Sequence, residues 1–280
     1  MKVGLVLEGG AMRGMYTAGA LDVFLENNIN VDCIIGVSAG ALFGVNYCSK
    51  QRGRVLRYQQ KYVKEKDYMG LRTLIKTGNI INKQLAYYDI PLKLDKFNEE
   101  EFSKNKTKFY TVITNVNTGK AEYIEITNTN KQIKYFEATS AMPFVSKMVE
   151  IGKEKYLDGA LADSIPITKM QEMGYDKIIV ILTKPAGYQK KKPPQFIAKK
   201  RYKEYPNLVN AINTRYAQYN NSLKKVEDLE NKKEIIVIRP SRKVKMSRIE
   251  KEPDKIQEMY DLGVSDTKDK LKELKEYLQQ

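Results

Sequence analysis

The five residues Gly36-Val37-Ser38-Ala39-Gly40 have the spacing that exposes a serine hydroxyl on a tight turn between a strand and a helix. Gly36 and Gly40 keep the turn's neighbours small, and the N–H of Ala39, just after the serine, points to where an oxyanion would form. A serine so placed attacks acyl carbonyls once a base takes its proton. The usual base is histidine, and this chain has none, so a Ser-His-Asp triad is excluded.

Lysine, cysteine and carboxylate remain as bases. Ser-x-x-Lys occurs at Ser103 to Lys106 and at Ser222 to Lys225, but both lie in charged helical stretches that read as solvated faces. Lys76-Thr77-Gly78 precedes those serines, the wrong order for the penicillin-binding enzymes. Cys33 and Cys48 have neither a base partner nor CxxC spacing and read as core residues, so no disulfide, metal or cofactor is expected. Asp158 is the carboxylate that stands out. It closes the short apolar stretch Tyr156-Leu157, and Asp158-Gly159 then turns the chain at the rim of the sheet, where strand ends also present Ser38. An aspartate has a pKa of about 4 in water and gains basicity when desolvated. By itself, Asp-Gly reads as a turn.

Gly9-Gly10-Ala11-Met12-Arg13-Gly14 forms a second cluster between an apolar run and a helical pattern. Successive N–H groups at such a junction hold a phosphate or a developing oxyanion, although alone they read equally well as a tight turn. The cluster lacks the P-loop lysine, and Ala11 replaces the second glycine of the dinucleotide fingerprint.

The elements that must position these groups are legible from periodicity. KVGLVLE (2–8) reads as a buried strand followed by a glycine turn and a helix, and VDCIIG (31–36) opens a second such unit, which argues for a parallel sheet with helices packed on it. Residues 53–106 are charged and helical in pattern, broken at Gly70, Gly78 and Pro91, and read as an insertion or cap. FYTVITNV (109–116) and AEYIEIT (121–127) form a strand pair, residues 131–144 a helix stopped by Pro143, and DKIIVILTKP (176–185) and KEIIVIRP (233–240) two more buried strands. Residues 253–280 read as amphipathic helix.

The 280 residues carry 49 Lys and Arg against 34 Asp and Glu, a formal +15. From Lys184 onward there are 24 basic and 14 acidic residues, net +10, against 25 and 20, net +5, before it. The stretch 184–203 has eight basic and no acidic residues. Such a surface attracts anionic lipid or nucleic acid. No apolar run is long enough for a signal peptide or a membrane span, and a cytoplasmic protein, at most peripheral to a membrane, is expected.

The order Gly-Gly-x-x-Arg-Gly, GxSxG and Asp-Gly-Ala, with Thr114-Asn115-Val116-Asn117-Thr118-Gly119 and Ala138-Thr139-Ser140-Ala141-Met142-Pro143 between the last two, resembles the patatin-like phospholipases over roughly residues 1–183. The resemblance implies a three-layer α/β/α fold with a mostly parallel central sheet and a basic C-terminal α/β appendage. It divides the chain into a catalytic domain, 1–183, and a region 184–280 packed on or extending that core. It also implies a lipid acyl hydrolase without a cofactor: Ser38 as nucleophile, Asp158 as base, and residues Gly9 to Gly14 as oxyanion hole, Arg13 standing in the family's basic position. Ala11 stands where many members carry a third glycine. The expected partner is an acyl lipid or other ester, with anionic membrane met through 184–203; nucleic acid is not expected. An acyltransferase would use the same dyad, and a basic membrane- or RNA-binding protein that keeps the fold with little catalysis is the alternative from another class.

Overall fold

The computed structural model describes residues 1–279. Its core is a mixed sheet of eight strands. In chain order these are β1 (Val3–Leu7), β2 (Cys33–Val37), β3 (Lys108–Asn115), β4 (Ala121–Glu125), β5 (Val149–Ile151), β6 (Glu154–Asp158), β7 (Lys177–Ile181) and β8 (Ile235–Ile238). The spatial order is β5-β6-β3-β2-β1-β7-β8, with β4 paired to β3. The five strands from β3 to β8 along this path are parallel, and β4, β5 and β6 join antiparallel.

Helices cover both faces. They are α1 (Met15–Glu26), α2 (Ala39–Cys48), α3 (Arg54–Tyr62), α4 (Leu71–Thr77), α5 (Glu99–Lys104), α6 (Ile133–Thr139), α7 (Ile167–Glu172), α8 (Gln195–Arg201), α9 (Pro206–Asn231), α10 (Pro253–Asp269) and α11 (Leu271–Gln279). Strand side chains alternate between the two sides. Leu5, Leu7, Ile34, Ile179 and Ile236 pack with α1, α2 and α10, whereas Val6, Ile35, Val37, Val180 and Val237 pack with α7 and α9. Both faces are buried, which is why these strands read as continuous apolar runs. The result is the expected three-layer α/β/α architecture.

The C-terminal third adds β8 to the edge of β7 and lays α10 across α1. Glycines let those helices touch: a Cβ on Gly19 would stand 2.2 Å from the Tyr260 carbonyl oxygen, and one on Gly263 would stand 2.1 Å from that of Tyr16. The cap at 53–106 is helical, but Pro91 does not break it. It sits inside a π-wound segment, Gln84–Leu94, where wider winding absorbs the missing donor. Helix α6 ends at Thr139, four residues before Pro143. No described helix is long and apolar enough to cross a membrane.

Candidate active site

Register along β3 brings the two key residues together. Val37, the last residue of β2, pairs with Val112, and Asp158, the last residue of β6, pairs with the next position, Ile113. β4 occupies the opposite edge of β3, so β2 and β6 abut end to end on one edge. Ser38 follows β2 at once, and its Oγ donates to Asp158 Oδ2 at 2.8 Å. Both residues are buried.

Ser38 has φ +52°, a conformation that L residues seldom adopt. The turn is enforced by close packing on its glycines. A Cβ on Gly40 would meet the Leu7 carbonyl oxygen at 2.5 Å, and one on Gly36 would meet the Ala41 Cα at 2.7 Å. The Ser38 N–H donates to Thr139 Oγ1 at 2.9 Å. Asp158 Oδ1 accepts the Ala160 N–H at 2.8 Å, which leaves Oδ2 for the serine. Gly159 is obligatory: a Cβ there would lie 2.1 Å from the Val112 carbonyl oxygen. Burial pushes the Asp158 carboxyl above its ordinary value, and Arg215, the Ala160 N–H and Ser38 pull the other way. The net rise makes this carboxylate a stronger base than one in water.

The glycine loop crosses beside the serine. A Cβ on Gly9 would approach Ser38 Cβ to 3.2 Å, and Ala11 and Met12 line the same cavity as Ser38. Ala11 has φ +49°, so alanine is held here in a glycine-like conformation. The N–H groups of Met12 and Arg13 are engaged, by the Arg248 carbonyl at 3.4 Å and the Gly10 carbonyl at 3.2 Å. Among the described residues no protein acceptor takes the N–H of Gly9, Gly10, Ala11 or Ala39. Gly14 packs instead, its Cβ position 2.9 Å from Ala39 Cβ. Beneath the loop, buried Glu8 accepts the Thr183 N–H at 2.5 Å and the Tyr219 hydroxyl at 2.6 Å.

From Ser38 a cavity of about 150 Å³ runs among Leu42, Phe43, Met69, Ile90 and Phe136. Its walls come from α2, α6 and the helical cap, so the insertion at 53–106 builds an apolar slot. The discarded serines stay apart: Ser103 Oγ bonds the Glu99 carbonyl, and Lys225 reaches Thr168. Cys33 and Cys48 are buried and unpaired, and burial raises both thiols, Cys33 to about 11.

A family model described as patatin-like phospholipase matches residues 5–170, which include the glycine loop, Ser38 and Asp158. The chain belongs to the patatin-like phospholipase family. A second model, a domain of unknown function (DUF6363), matches residues 205–279. The uncharacterized protein YjjU of Escherichia coli (strain K12) is 28% identical over 191 residues, covering 66% of this chain and 53% of that protein. Lysophospholipase nte1 of Emericella nidulans is 24% identical over 190 residues, covering 64% of this chain and 12% of the fungal protein. The chain thus matches about half of the bacterial relative and a small part of the fungal one. Among solved structures, VipD from Legionella pneumophila superposes with a TM-score of 0.47 at 13% identity, covering 99% of this chain and 67% of that one.

Two residues of the site carry no motif in the sequence. Thr139, though within the block Ala138 to Pro143, carries no sign in sequence that its hydroxyl holds the Ser38 amide. Arg215 lies outside the family match and comes near Asp158 from α9. An arginine on a stripe of Leu208, Ile212, Tyr219 and Leu223 was the signal that would have found it.

Proposed function

We propose that this patatin-family protein is a serine acyl hydrolase that cleaves the carboxylic esters of acyl lipids. The observation that carries the reading is the 2.8 Å bond from Ser38 Oγ to a buried, basic Asp158 at the mouth of an apolar slot. Asp158 takes the hydroxyl proton as Ser38 Oγ bonds to the ester carbonyl carbon. Charge gathers on the carbonyl oxygen, for which the N–H groups of Gly9, Gly10, Ala11 and Ala39 are the available donors. The C–O bond to the alcohol then breaks, and Asp158 returns the proton to the leaving oxygen. Water attacks the acyl-serine, Asp158 accepts its proton, and the fatty acid leaves as Ser38 regains hydrogen. An alcohol in place of water makes the same dyad a transferase.

The test is covalent labelling with a fluorophosphonate ester. Labelling of the wild type at Ser38, absent in Ser38→Ala, together with fatty acid release from lipid micelles, supports the reading. An unlabelled wild type, or full esterase activity in Ser38→Ala, removes it.

Residues 184–203 supply the surface on which substrate is met. Phe196 is 72% exposed and Ile197 43% exposed on α8, beside the exposed Lys199, Lys200 and Arg201. An apolar tip ringed by cations suits insertion at an anionic bilayer surface. Phe196→Ser is expected to weaken sedimentation with phosphatidylserine vesicles, and equal binding to neutral and anionic vesicles would contradict the electrostatic part.

A further inference from the structure

Arg215 breaks the apolar stripe of α9. It lies three residues after Ile212 and four before Tyr219, on the face by which α9 packs against the Gly159–Leu161 turn behind Asp158. Its Nε is buried without a hydrogen-bond partner, and so is that of Arg13. A buried guanidinium donor left unpaired is costly and calls for an acceptor.

Other cations gather on the same spot. Lys190 Nζ sits 4.3 Å from the ring centroid of Tyr219, and its backbone is pinned to Asn220 of α9 through bonds of 2.8 and 3.0 Å. Lys184 Nζ sits 4.7 Å from the centroid of Tyr188, whose ring meets Tyr219 edge-on. Arg248 lines the cavity that holds Ser38, and its carbonyl accepts the Met12 N–H of the glycine loop. Among the described residues none of these five cations forms an ion pair within 4.0 Å.

Glu8 and Asp158 are the carboxylates that act on Lys190 and Arg215. The basic groups outnumber the carboxylates that face them, which leaves an excess of positive charge in a partly desolvated site. Burial and the neighbouring Arg215 push Lys190 down to about 7, and burial and Arg13 push Lys184 down to about 8. An added anion reverses both effects. A phosphate suits the arrangement better than a carboxylate does, because its several oxygens can meet separate donors from three directions.

We propose that Lys190, Arg215 and Arg248 form a phosphate subsite beside Ser38, which takes the headgroup phosphate of the acyl lipid. These residues come from the loop before α8, from α9 and from the segment before α10, all beyond the 5–170 family match. The lipid half of this proposal rests on the acyl-hydrolase reading; the anion half does not.

Two measurements separate them. Inorganic phosphate is titrated into Ser38→Ala protein, with sodium chloride at matched ionic strength as control, and the unfolding midpoint is followed. Phosphate is expected to raise the midpoint beyond chloride, and Lys190→Met and Arg248→Met in the same background to abolish the difference. Arg215→Lys keeps the charge without the fork, and is expected to retain only part of it. In the second arm, wild type hydrolyses a 1-acylglycerol 3-phosphate and the uncharged 1-acylglycerol of the same chain. The expected kcat/KM ratio is about tenfold or more in favour of the phosphate ester, as for a charged hydrogen bond, and it falls towards one in Lys190→Met. A midpoint rise with a ratio of one keeps the subsite and makes free phosphate its ligand. A midpoint rise with neither ester cleaved keeps the subsite and removes the hydrolase reading. Active protein with a ratio of one and no phosphate-specific rise overturns the proposal.

Discussion

Thr139 holds the backbone of Ser38 in place. Its Oγ1 accepts the Ser38 N–H at 2.9 Å and donates to the Val112 carbonyl at 2.6 Å, so a single hydroxyl ties α6, β3 and the strained serine turn together. It also means that the Ser38 amide is spent on structure and is no part of the oxyanion donors. Thr139→Val keeps the shape but orphans a buried donor and acceptor, and is expected to cost about 1–3 kcal/mol in urea unfolding. In ester hydrolysis kcat should fall about 10- to 100-fold with KM little changed, since positioning and not binding is lost. An equal loss in Ser38→Ala background stability, without a kcat effect in the wild-type background, would reduce Thr139 to a packing residue.

Asp158→Asn is expected to trade activity for stability. Removing the base should lower kcat by about 10²- to 10⁴-fold. The sign of the stability change follows from the raised carboxyl pKa. The contribution of the neutral carboxyl is fully present below the unfolded value of 3.8 and is lost as pH rises through the higher folded value. At pH 7 the wild type therefore carries the cost of a buried charge that asparagine lacks. Calorimetry should show Asp158→Asn melting higher than wild type at pH 7, with the gap closing as pH falls towards 3.8. The acid limb of kcat should likewise lie above that of an exposed aspartate.

Gly159→Ala should fail to fold well. The added methyl falls 2.1 Å from the Val112 carbonyl oxygen, a backbone atom that cannot move without disturbing β3. A loss of about 3 kcal/mol or more is expected. Gly152→Ala is the contrast, because nothing lies within 4 Å of the new methyl and only the φ of +62° opposes it. That change should cost about 1–2 kcal/mol. Chemical denaturation of the pair checks both.

Glu8→Ala removes the acceptor for the Thr183 N–H, the Thr183 hydroxyl and the Tyr219 hydroxyl at once. It also strips Arg13 and Lys190 of the carboxylate that acts on both. About 3–5 kcal/mol should be lost. Glu8→Gln, which keeps the shape, should lose less, and phosphate should restore part of the Ala variant's melting temperature if the excess cations are the cause.

Much of this arrangement was legible in the chain. Strands β1, β2, β7 and β8 are apolar on both faces, so each stood out as an unbroken run between turn residues. Ser38 is marked by its turn glycines, whereas Asp158-Gly159 alone reads as a turn and is singled out by the order of motifs that resembles the patatin-like family. What local pattern cannot carry is register: only β3, pairing with β2 and β6 at successive residues, places the two side chains within a hydrogen bond. Helix α9 was also hidden. Its 26 residues mix acids, bases and an arginine on the buried stripe, which blurs the apolar period. The π-wound segment around Pro91 read as a break because proline's missing N–H is harmful in an α-helix and tolerable where the ladder is already irregular.

The edge position of β8 has a consequence for biosynthesis. A ribosome that has finished residue 183 has made both Ser38 and Asp158, yet β7 still lacks the neighbour that pairs with it at residues 235–238. The glycine-lined face of α1 waits longer still, for α10. Throughout that interval the nascent chain carries an open apolar strand edge, the kind of surface that recruits chaperones or aggregates. The basic, highly charged C-terminal third is the part that relieves it.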